Sequence, residues 1–126
     1  MTALIYAPGT YWLLSPEDRA ILTNGCGTKG LGGVLVPDKL FGLSITAACN
    51  IHDFMYNEGK SIADKEAADR SFLNNMLRII EAESYNAIMV KIRSKSALQY
   101  YKAVRDFGGP AFWSGKNKEQ ELGRIV

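Results

Sequence analysis

Between Lys60 and Phe107 the chain carries neither glycine nor proline. A run of that length exceeds an ordinary strand and lacks the two residues that most readily interrupt a helix, so it commits this half of the chain to α-structure. Ser61 and Asp64, three residues apart, open the run as a capping box. Behind them Ala67, Ala68, Phe72, Leu73, Met76, Leu77 and Ile80 recur at helical spacing. A bend is expected near Glu81 to Ser84, a resumed helix from Tyr85 to Arg105, and a stop at Phe107-Gly108-Gly109-Pro110.

Upstream, Ser44 is read as the cap of a helix that runs to about Asn57 and is stopped by Asn57-Glu58-Gly59. Ser15-Pro16-Glu17-Asp18 starts a shorter helix, with serine to cap and proline at the first helical position, ending near Thr23-Asn24-Gly25. Val34 to Phe41, broken by Pro37-Asp38, reads as loop. Residues 1–14 read as an extended arm and residues 114–126 as a polar tail. The expectation is a mostly α protein with three substantial helices, and at 126 residues a single domain.

Composition narrows the partners. A chain that is 47% hydrophobic and 22% charged is that of a folded protein, and no apolar run approaches a bilayer span. A net charge of +2, with bases and acids interspersed, argues against nucleic acid. The N-terminus lacks the basic start and apolar core of a secretory signal. Cys26 and Cys49, the 2 cysteines, are too few for a disulfide scaffold or a cysteine-only zinc site; they are one bridge or two buried thiols.

The segment Asn24 to Gly33 holds Gly25, Gly27, Gly30, Gly32 and Gly33. Glycine at that density suits neither helix nor strand, but it lets a backbone bend tightly and present carbonyls or amides to something small. Read alone, it is equally a flexible loop.

Ile45, Ala48, Cys49, His52 and Tyr56 share one face of the Ser44 helix, so His52, the only histidine, points inward. Asp53 lies about 100° further round. On the next helix Asp69 falls in register with Phe72, Leu73, Met76 and Ile80, whereas Asp64 aligns with Ala68, Ser71, Asn75 and Arg78 and reads as a surface cap. A buried carboxylate needs a partner. The short connection pairs the two helices as a hairpin, with His52 just before the turn and Asp69 just after it. A lone histidine on an apolar face reads as core filler; an inward aspartate on the facing helix turns it into a His-Asp dyad.

The stretch Cys49-Asn50-Ile51-His52-Asp53-Phe54-Met55-Tyr56, with Gly25-Cys26-Gly27-Thr28-Lys29-Gly30 before it and Ala68-Asp69-Arg70-Ser71-Phe72 after it, resembles the phospholipase A2 family in its small bacterial, phage and parvoviral form. The resemblance covers about Thr23 to Met76. It implies an antiparallel helical hairpin with a glycine-rich calcium loop, and calcium-dependent hydrolysis of the sn-2 ester of phospholipids at a membrane surface. His52 would be the base that activates water, Asp69 would hold its tautomer, Tyr56 would bond Asp69, and the Gly27 amide would donate to the oxyanion. Ca2+ would take the Asp53 carboxylate and the carbonyls of Gly25, Gly27 and Gly30. The family's bridge would join Cys26 to Cys49, placing the protein outside a reducing cytosol, extracellular or on a virion; unbridged thiols would fit the cytoplasm. Tyr6, Tyr11, Trp12, Phe112 and Trp113 would serve as a lipid-facing rim or as core. Two other readings accompany it: a catalytically silent module stapled by calcium, and a plain helical domain with a core histidine.

Overall fold

The computed structural model describes residues 3–23 and 36–116. They form helices α1 (Gly9–Trp12) and α2 (Pro16–Leu22), strands β1 (Lys39–Leu40) and β2 (Leu43–Ser44), and helices α3 (Thr46–Glu58), α4 (Ile62–Glu83), α5 (Ala87–Phe107) and α6 (Gly109–Trp113). The chain is mostly helical, and α3, α4 and α5 pack on one another in sequence order. No helix among the described residues is long and apolar enough to cross a membrane.

The caps explain the ends. Ser15 Oγ accepts from Asp18 N at 3.1 Å, with Pro16 in the first turn of α2. Ser61 Oγ accepts from Asp64 N, and Asp64 Oδ2 accepts from Ser61 N at 3.2 Å, so the expected capping box starts α4. Between α4 and α5 there is a break rather than a bend. Ser84 leaves the helical region, and Asn86 Oδ1 accepts from Met89 N at 2.8 Å to start a new helix. An asparagine cap interrupts the run without glycine or proline, which is why the break was not legible as a stop.

Three further expectations change. The N-terminal arm has no regular structure from Ala3 to Pro8 and then coils into α1. Part of the expected loop forms a hairpin, Lys39 opposite Ser44 and Leu40 opposite Leu43, turning through Phe41 and Gly42, both at positive φ (45° and 82°). That is the primed turn whose twist matches paired strands, here with phenylalanine in place of the usual asparagine. Arg93 holds it: Nε donates to Leu40 O at 3.2 Å and one terminal nitrogen to Phe41 O at 2.8 Å. Ser44 therefore ends a strand, and α3 begins at Thr46 with no side-chain cap bond at Ile45.

The main core gathers Ile45, Ala48, Cys49 and Tyr56 with Ala68, Phe72, Met76 and Ile80 of α4, Ala97 and Val104 of α5, and Phe112 of α6. A second cluster, Ala7, Tyr11, Ile51 and Phe54, packs the arm and α1 against the other side of α3. Covered from both sides, α3 buries Ile51, Asp53 and Phe54 as well as the face predicted from its spacing. Full burial of a side chain such as Phe54 contributes about 1.5–3 kcal/mol.

Candidate functional site

Helices α3 and α4 run antiparallel across the short link at Gly59 to Ser61, which sets the end of one helix beside the start of the next. His52 and Asp69, each 1% exposed, meet there. Asp69 Oδ1 lies 2.8 Å from His52 Nε2 and accepts from Tyr56 Oη at 2.6 Å. The other oxygen, Oδ2, accepts from Lys65 Nζ at 2.8 Å. The His52 ring is flanked by Tyr56, centroids 4.1 Å apart, and by Phe72 at 4.8 Å.

Electrostatics assign the protons. Burial pushes the Asp69 carboxyl up, but hydrogen bonds from His52, Lys65 and Tyr56 outweigh it and leave the group below the usual carboxylate range. Burial pushes the His52 imidazole below its ordinary value against the opposing pull of Asp69. Burial, reinforced by the Asp69 charge, pushes the Tyr56 phenol far up, so it remains a donor. An ionised carboxylate only accepts, which makes Nε2 the protonated nitrogen of a neutral ring and leaves the lone pair on Nδ1. That tautomer is a base.

Lys65 was not singled out from sequence, although its i,i+4 spacing to Asp69 is the signal that finds it. Its ammonium also donates to Val104 O at 3.2 Å and Arg105 O at 3.1 Å, joining the carboxylate to the C-terminal turn of α5. Val104 O already accepts from Gly108 N, so the cation adds a second bond there and gives Arg105 O a side-chain donor at the negative end of the helix. Gly108 closes the same corner. A Cβ at that position would collide with Val104 O and stand 2.5 Å from Tyr56 Oη.

Asp53, 9% exposed, lines a cavity of about 480 Å³ with Tyr56, Asn57, Ile21, Phe112 and Lys116. Tyr56 belongs both to this wall and to the dyad. Lys116, read as part of the polar tail, is anchored: Nζ donates to Tyr56 O at 2.6 Å and sits 3.6 Å from the Phe112 ring centroid. Of the expected aromatic rim, Tyr11 and Phe112 are core, while Tyr6 and Trp12 are about half exposed. Cys49 is buried; Cys26, Gly25, Gly27 and Gly30 lie outside the described residues. Among the described residues no three His, Cys, Asp or Glu side chains converge to hold a metal. The chain matches no family model, no curated protein and no solved structure.

Proposed function

We propose that the chain is a calcium-dependent phospholipase A2-like hydrolase of the sn-2 ester of phospholipids. The observation that carries this reading is the buried cluster in which a neutral His52 is oriented through Nε2 by an ionised Asp69. A structural histidine needs one partner; here the carboxylate that orients it is itself held by Tyr56 and Lys65.

In this reading His52 Nδ1 takes a proton from water as the water attacks the ester carbonyl, the Asp69 charge stabilises the imidazolium that forms, and the imidazolium returns the proton to the leaving sn-2 oxygen as the ester C–O bond breaks. Tyr56 and Lys65 keep the carboxylate fixed while the ring charge changes. The Gly27 amide would donate to the developing oxyanion. Asp53 and carbonyls of Gly25, Gly27 and Gly30 would make an all-oxygen donor set, which suits calcium rather than zinc. Calcium held by them would supply Lewis-acid polarisation of the ester carbonyl and a positive partner for the phosphate. The bridge between Cys26 and Cys49 would tie that loop to α3.

The test is fatty-acid release from phospholipid vesicles with calcium. His52→Ala is expected to lower the rate by at least about 10²-fold, and Asp53→Asn or a chelator to remove it. Full hydrolysis by His52→Ala would refute the reading. A calcium-dependent rise in melting temperature without any lipid cleavage would identify a silent, calcium-stapled module instead.

A further inference from the structure

On the side of α4 turned away from Asp69, the structure carries a second concave site that the hydrolase reading does not use. Tyr6, Ala67, Arg70, Ser71, Asn74 and Arg78 line a hollow of about 290 Å³ between the N-terminal arm and the helix. Arg70, Asn74 and Arg78 are spaced one turn apart, so the two guanidiniums bracket Asn74 on one face. Among the described residues no carboxylate lines the hollow. Glu66, one turn before Arg70, makes no ion pair with it, and the ion pairs among the described residues involve neither arginine.

What builds the hollow is Asn75. Its side chain is fully buried, with Nδ2 donating to Tyr6 O and Oδ1 accepting from Tyr6 N, both at 2.8 Å. The amide thus pairs with the arm as a neighbouring strand would, and fixes Tyr6 as the outer wall. The same Oδ1 accepts from Arg78 at 3.1 Å, which aims that guanidinium. Burying an amide is unfavourable unless its bonds are made; here they set a wall and orient a cation.

From this placement we infer that the Arg70–Arg78 hollow binds a phosphate group. Guanidinium forks match phosphate oxygens bidentately, and Ser71 and Asn74 add neutral donors between them. The phosphate is that of a lipid headgroup or of a small soluble phosphate ester; the chemistry is common to both.

The experiment compares wild type, Arg70→Gln/Arg78→Gln, and Lys91→Gln/Lys95→Gln, which removes the same charge from exposed positions on α5. One arm is calorimetric titration with inorganic phosphate at low ionic strength. The other is co-sedimentation with phosphatidic acid vesicles against phosphatidylcholine vesicles. Circular dichroism melting of each variant verifies the fold. The arginine double variant is expected to lose about tenfold or more in affinity, the lysine variant less than about twofold. A loss confined to vesicles supports the site with a lipid source, and a loss in the phosphate arm supports it with a soluble one. Binding of neither probe by wild type, or equal losses in the two double variants, overturns the inference. Neither arm reads hydrolysis, so the result stands apart from the dyad's role.

Discussion

Asp69 and Asn75 are both buried polar residues of α4, less than two turns apart, yet they work in opposite directions. Asp69 faces α3 and α5, and its charge is consumed by side chains: an imidazole, a phenol and an ammonium. Asn75 is turned toward the arm and is consumed mainly by backbone, the N–H and C=O of Tyr6. The first arrangement holds a charge where a ring can use it. The second holds a strandless segment in place. Burial alone does not separate a chemical group from a structural one; the identity of the partners does.

Removing each group should break the comparison cleanly. Asp69→Ala takes the charged partner from the partly buried Lys65 ammonium and the acceptor from the buried Tyr56 phenol and His52 Nε2, and is expected to cost about 3–5 kcal/mol in urea unfolding as well as vesicle hydrolysis. Gly108→Ala drives a methyl toward Tyr56 Oη and the Val104 carbonyl, and should cost about 2–3 kcal/mol, with a fall in kcat rather than a rise in KM, because it displaces the bond that steadies Asp69. Asn75→Ala leaves two backbone groups of a half-exposed arm to water and should cost about 1–2 kcal/mol with hydrolysis retained. Hydrolysis lost in Asn75→Ala and kept in Gly108→Ala would reverse the division drawn between the two residues.

The smallest expected effect is on pH dependence. His52 and Asp69 both hold folded values below their ordinary ones. Each contribution to stability is therefore present above the unfolded value and lost on acidification, as the unfolded chain takes up protons that the folded chain refuses. With a chelator present, unfolding free energy should begin to fall below roughly pH 6.5 and drop further through the carboxylate range. In Asp69→Asn the slope through the carboxylate range should become shallower, the remainder coming from Asp64 and Asp106, which backbone N–H groups and Arg105 hold below the usual carboxylate range; an unchanged slope would remove Asp69 from the account.

Much of this was legible beforehand, for reasons tied to particular residues. The Ser61-Asp64 box and the Ser15-Pro16 start are local chemistry, complete within four residues. Asp69 was found because an acid in register with Phe72, Met76 and Ile80 must be buried and must be paired, and because a short link left α3 as its neighbour. Asn75 was placed only on the stripe it shares with Asp64, Ser71 and Arg78, and nothing within α4 indicates that the arm lies across that stripe.

The sequence by itself determined the long helices, the inward face of His52 and its pairing with Asp69, since caps, periodicity and a short connection act between near neighbours. Only the tertiary structure decided that Lys65 spans from Asp69 to the end of α5, that Arg93 holds a hairpin turning at Phe41, that Gly108 must lack a side chain beside Tyr56, and that Asn75 serves Tyr6. Each of those contacts joins segments brought together by packing from several directions at once, and a one-dimensional pattern of polar and apolar residues carries no record of which distant backbone will arrive.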